Sequence, residues 1–279
     1  MIKVNGLIKQ GSFHQLSNFE NITNENCPSF SGIVTGECKG DLWVDDIDNP
    51  RISIVYSYPV GSFGFLGCGI YDYEYLELKK FIEKEIFDYI KDNKLGCFEF
   101  SVENEHLKPC ILKMFENMAL QSEKEYSYRR TEFINSGYTL PEGFEIKKAD
   151  MDFLNKVFNG IYENEALLID RILQSWDNIG SFIEKSLAFC IIYLKRIVAV
   201  TVGTARYKNV ITVSIETEEK YRNKGLGYGL TVEFVNECAR RGLTVQWDCM
   251  ESNLASRKLA EKAGFKKFRE NEVYWFDIN

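Results

Sequence analysis

A chain of 279 residues with 45% hydrophobic and 27% charged residues has room for two domains with their own cores, and is neither disordered nor repetitive in composition. A net charge of −7 with no dense Lys/Arg block excludes the electrostatic footprint of a nucleic-acid binder. Eight scattered cysteines and only two histidines are poor material for a zinc site or a disulfide framework, so no metal is expected.

The opening stretch, Met1 to Gly6, carries no long apolar run closed by a cleavage site, so a cytoplasmic address is the expectation. Residues 52–71 lack any charge over about the length of a membrane span. Pro59 and the glycines at 61, 64, 67 and 69 divide them, however, into two buried strands around a turn, and no membrane partner is expected.

Later in the chain, helical segments are expected between 150 and 185 and strands over 187–194, 197–206 and 210–215, an antiparallel meander. Apolar residues at Leu226, Leu230, Phe234 and Cys238 form one stripe of a helix that stops before Gly242. A strand over 244–249, a helix capped by Asn253 and ended by Gly264, and two strands over 265–269 and 273–278 with a turn at Glu270-Asn271 complete the pattern.

The first half repeats this layout at an offset of 147, which carries Gly64 to Ile211 and Cys97 to Thr244 without a gap. The fold expected is therefore α+β (mixed α/β), two tandem domains, each a mostly antiparallel mixed sheet with helices on both faces. The boundaries expected are 1–134, a linker over 135–143 marked by Gly137, Pro141 and Gly143, and 144–279.

Chemistry shows between the strand at 210–215 and the helix starting at Leu226. Gly225, Gly227 and Gly229 remove Cβ atoms, and the helix behind them offers unpaired N–H groups and the positive end of its dipole to an anion such as a pyrophosphate. It is not a Walker loop, because Gly227 is followed by Tyr228 and Gly229 instead of Lys-Ser/Thr. Nor is it a dinucleotide fingerprint, which needs Gly or Ala where Leu230 stands.

The remaining pattern, Arg222-x-x-Gly225-x-Gly227, resembles the pyrophosphate motif of the GNAT (GCN5-related) N-acetyltransferases. A second stretch is similar to the family's Asn-x-x-Ala/Ser-x-x-Leu-Tyr-x-x-x-Gly-Phe: Asn253-Leu-Ala-Ser256-Arg-Lys-Leu-Ala260-Glu-Lys-Ala-Gly264-Phe265. The whole chain resembles a two-domain subgroup that includes the zwittermicin-resistance acetyltransferase.

The resemblance implies a complete GNAT fold over 144–279 and an acetyl-CoA-dependent transfer of an acetyl group to a small-molecule primary amine. The alternative is a catalytically silent acyl-CoA sensor. By the same resemblance the backbone N–H groups of Asn223, Lys224, Gly225, Leu226, Gly227, Tyr228 and Gly229 hold the pyrophosphate, with charge from Arg222 and Lys224. Ile215 and Thr217 bond the pantetheine arm through their backbones, and Asn253 and Ser256 reach the pantetheine or nucleotide side.

Deprotonating the amine needs a base, and Glu216, at the strand end before the loop, is the candidate. Ala260 stands where many members of the family carry a thiolate-protonating tyrosine, which leaves Tyr228 and Tyr221 as substitutes. Glu163, Glu165 and Asp170 suit a cationic acceptor. In the first half Tyr75, Leu78 and Lys80 replace Arg222, Gly225 and Gly227, so that domain is expected to lack the phosphate loop. A homodimer is left open.

Overall fold

The computed structural model describes residues 8–9, 18–71 and 74–278; the opening Met1 to Gly6 stretch lies outside them. The chain forms two compact units, Met1–Glu125 with Asn271–Asn279, and Tyr126–Glu270.

In the first unit, β1 (Ile8–Lys9), α1 (Pro28–Val34), β2 (Gly40–Val44), β3 (Ile52–Ser57) and β4 (Ser62–Gly67) precede a long helix. That helix comprises α2 (Tyr75–Phe81), a π-helical stretch over Ile82–Ile86 and α3 (Phe87–Asp92). Then come β5 (Cys97–Val102), α4 (Lys108–Met114) and β6 (Gln121–Arg130).

The uncharged stretch 52–71 is the β3–β4 hairpin, with both strands buried throughout. Its apolar run reflects burial on two faces. Phe30 of α1 covers one, leaving no room for a Cβ at Gly64, which would fall 2.6 Å from the ring. Over the other lie Leu78, Ile82, Ile86 and Ile90, in one core with Phe63, Phe65, Phe98 and Phe100.

The second unit begins with the end of β6 and continues through β7 (Phe144–Lys148), α5 (Met151–Phe158), α6 (Ala166–Ser175), α7 (Ile179–Lys185), β8 (Ala188–Tyr193) and β9 (Arg196–Tyr207). It then runs through β10 (Val210–Thr217), α8 (Leu226–Arg240), β11 (Thr244–Met250), α9 (Leu254–Lys262) and β12 (Lys266–Asp277). Phe189 and Ile191 join the core under α8, and the alternating Cys190 and Ile192 are buried on the opposite face of the strand. Leu226, Leu230, Phe234 and Cys238 all enter that core, as the stripe requires, the two leucines and the phenylalanine each contributing about 1.5–3 kcal/mol by burial.

The strand orders agree between units. The first reads β2-β3-β4-β5-β12 and the second β8-β9-β10-β11-β6, and corresponding strands pair in parallel in each, β4 with β5 and β10 with β11. The fold is thus a tandem of mixed sheets with helices, as the repeat predicts.

Two features depart from the sequence reading. Glu270-Asn271 is no turn: β12 runs unbroken through it, and its far half, Val273–Asp277, pairs antiparallel with β5 inside the first unit. Reciprocally, Tyr126 and Tyr128 of β6 lie in the core of the second unit. Each unit is therefore completed by a strand from the other end of the chain. The segment 135–143, expected as a linker, belongs to the second unit: Tyr138 donates to Glu233 of α8 (2.9 Å), and Tyr138 and Leu140 pack on the core. The Tyr138 hydroxyl is pushed up to about 12, by burial first and by the Glu233 bond second.

Candidate active site

β10 pairs with β11 through only three residue pairs, Val210–Thr244 to Thr212–Gln246, while its pairing with β9 continues to Thr217. A bulge lies where the strands part, with Thr204 as the extra residue opposite Thr212 and Val213. The result is a cleft between parallel strands at their carboxyl ends, open beside Ile215 and Thr217.

The loop that follows turns back on this strand. Arg222 Nε donates to the Thr217 carbonyl at 3.1 Å, and Asn223 adopts a left-handed φ of 62°. Gly225, with φ 77°, is the N-cap of α8, and no side chain caps the helix. The first amide bonded back into the helix is Gly229, to the Gly225 carbonyl. The N–H groups of residues 223–228 have no acceptor among the described residues. Six consecutive donors at a helix N-terminus, with exposed Arg222 and Lys224 beside them, form an anion cradle.

The glycines do different work. A Cβ on Gly225 meets nothing within 4 Å, so its role is the left-handed turn. One on Gly227 would approach Leu259 to 3.1 Å at the cleft wall, with Ile215 at 4.0 Å. Gly229 is buried, and its would-be Cβ lies 3.1 Å from Tyr138, so its small size serves packing and not ligand approach. The Tyr228 hydroxyl is bonded to Ser136 at 2.6 Å, and Lys262 lies over its ring at 4.7 Å. Tyr221 packs edge-on against Phe144 and tilted against Tyr193.

Asn253 accepts from Ser256 N at 3.1 Å as the cap of α9, and Ser256 Oγ accepts from Trp247 Nε1 of β11 at 2.8 Å. Ala260 is fully buried in the core.

Glu216 is half-exposed at the end of β10, where Arg171 of α6 donates to its Oε2 from Nε at 2.8 Å and again from Nη2. Sequence reasoning missed Arg171, which lies 45 positions away with no motif to mark it. Glu218 is used differently: Arg196 and Asn164 donate to it, the Arg196 bonds holding its carboxyl below the usual range. Of the three acids expected to suit a cation, Glu163 faces Arg196 at 3.7 Å, while Glu165 and Asp170 are exposed. No cluster able to hold a metal occurs among the described residues, nor any helix long and apolar enough to cross a membrane.

The site is thus a parallel strand pair that opens onto a glycine-capped helix N-terminus lined by amides without an acceptor. The profile of the GNAT acetyltransferase family matches residues 20–274, and the chain belongs to that family as an acyltransferase. Among its relatives is the uncharacterized N-acetyltransferase YdfB of Bacillus subtilis, 26% identical over 258 residues that cover 89% of this chain and 90% of the relative. A GCN5-related N-acetyltransferase-like protein from Streptococcus suis shares the fold with a TM-score of 0.57 at 20% identity, over 85% of this chain and 88% of its own. A tandem GNAT protein from the clavulanic acid biosynthesis pathway gives 0.53 at 10% identity, over 86% and 83%. An acetyltransferase of the GNAT family from Colwellia psychrerythraea gives 0.54 at 13%, over 98% and 100%.

Proposed function

We propose that the protein transfers an acetyl group from acetyl-CoA to a primary amine of a small molecule by direct attack of the amine on the thioester. The observation that carries the donor assignment is the row of six acceptor-free amides at residues 223–228, placed at the mouth of the β10–β11 cleft. A pyrophosphate fits this cradle in charge and in donor supply, with Arg222 and Lys224 adding positive charge. The cleft suits the pantetheine arm, which would run along the backbone of Ile215 and Thr217 beyond the last residue that pairs with β11. Bound there, the donor supplies an activated acyl carbon and a thiol leaving group that needs little help from an acid, since a thiol titrates near pH 8.5.

The chain's own residues then act on the acceptor. Glu216 is the carboxylate at the strand end with an oxygen still open, and it serves as the base, directly or through a water. Exposed Glu165 and Asp170 favour a cationic acceptor over an anionic one.

Calorimetric titration with acetyl-CoA, run on the wild type and on the Gly225→Asp/Gly227→Asp variant, tests the donor site. Micromolar binding that disappears in the variant supports the assignment; a wild type that binds no acetyl-CoA overturns it. A thiol-release assay with primary amines then separates an enzyme from a binder that does not turn over.

A further inference from the structure

The site described so far makes no use of Arg171, yet its guanidinium is among the most committed groups near it. Nε lies 2.8 Å from Glu216 Oε2, Nη2 reaches the same oxygen, and Nη1 lies 3.0 Å from Ser214 Oγ. Ser214 and Glu216 are two apart on β10 and so share a face of the sheet, and the planar fork spans both. Every donor from Arg171 to the carboxylate falls on Oε2; Oε1 has no hydrogen-bond partner among the described residues. The next acid on that face, Glu218, is closed off by Arg196 and Asn164.

A half-exposed ion pair contributes under about 1 kcal/mol to stability, so fold stability alone is a weak reason for this arrangement. Orientation is a stronger one. A carboxylate on three rotatable bonds is held in one rotamer, with one oxygen engaged by the guanidinium and the other left open.

We propose that Arg171 is a positioning residue for acyl transfer, fixing Glu216 so that Oε1 receives the proton of the acceptor amine. As the nitrogen lone pair forms the bond to the acyl carbon, the C–S bond breaks with its electron pair on sulfur. The proton shed by nitrogen passes to Oε1. Arg171 itself touches neither donor nor acceptor.

This inference rests on the acetyltransferase reading, and its test keeps the two apart. The full-length protein is assayed with acetyl-CoA and spermidine, tyramine, glucosamine and lysine as acceptors. Wild type, Glu216→Gln, Arg171→Gln, Arg171→Lys and the Arg171→Gln/Glu216→Gln pair are compared, with the acetyl-CoA Kd of each measured by calorimetry. The expected result is an unchanged Kd throughout and a kcat about 100-fold lower in Glu216→Gln. Arg171→Gln falls about 10-fold or more, Arg171→Lys recovers part of that loss, and the double variant is no worse than Glu216→Gln alone.

If Arg171→Gln costs the same factor with and without Glu216, or costs nothing, the positioning role is overturned. A wild type that binds acetyl-CoA but turns over none of the amines overturns it as well. Failure to bind acetyl-CoA at all instead defeats the donor assignment on which the inference stands.

Discussion

Burial alone would raise the carboxyl of Glu237 on α8, yet hydrogen bonds from Lys148, Arg240 and Arg241 outweigh it and push the group down to about 2. With the folded value below the ordinary 4.5, the stabilisation is fully present above about pH 4.5 and is lost as the pH falls toward 2. Because Lys148 and Arg240 reach solvent, screening reduces it to about 1–2 kcal/mol. Glu237→Gln should therefore lower the unfolding free energy by that amount at pH 7, while wild type and variant converge near pH 2 in urea titrations. Residues differ in how legible they are. Gly225 and Gly227 were readable because a turn and a close approach leave a local mark in sequence. The Arg171–Glu216 pair was not, because only the fold brings α6 to the end of β10. Asn253 and Ser256 show the converse: their motif was clear in sequence, and in the fold one oxygen of each serves as a helix cap and as the acceptor for Trp247.

Periodicity located the elements of the second unit because β8, β9 and β10 are rich in β-branched residues and separated by two-residue loops. One such loop joins β8 to β9, with Tyr193 opposite Arg196 and both Leu194 (φ 48°) and Lys195 (φ 65°) in left-handed backbone. That is the geometry of a hairpin turn that favours Asn-Gly, and neither side chain here prefers it. Leu194 is 78% exposed, so replacing it empties no core. Leu194→Asn with Lys195→Gly should raise the unfolding free energy by about 0.5–1 kcal/mol, read from the denaturation midpoint at unchanged slope. Where the reading failed, at Glu270-Asn271, two adjacent polar residues mimicked a turn. Asn271 is in fact buried, donating to Glu103 at 3.1 Å in the middle of a continuous strand. Polarity signalled a buried hydrogen bond there, and a single sequence carries no mark of the difference.

At the level of the molecule, the constant offset was legible because both units keep the same elements at the same spacing. What separates their chemistry is one helical turn. In the second unit the chain before α8 is the amide-lined loop; in the first the corresponding residues, Tyr75 to Lys80, are already helix. Buried Glu74 sits at its start, accepting from Arg51 and from Tyr71 N, so a carboxylate of the chain itself meets the helix dipole. Acetyl-CoA should accordingly bind at one site per chain, a stoichiometry that calorimetry reads directly; two equivalent sites would contradict the loss of the first cradle.

The exchange of strands escaped the sequence because it conserves the order of elements and changes only which sheet each strand joins. It has a consequence for dissection of the chain. A fragment cut within the expected linker, 140–279, lacks Tyr126, Tyr128 and Ile134, all buried in the second unit's core, and keeps Tyr274 and Phe276, whose core belongs to the first. A fragment of Tyr126–Glu270 holds the second unit entire. Losing a large buried aromatic costs about 3–5 kcal/mol, so two of them match most of a domain's stability. The 126–270 fragment should melt cooperatively and show near-ultraviolet circular dichroism, and 140–279 should show neither. Cooperative melting of both would mean that β6 is dispensable to the unit it completes.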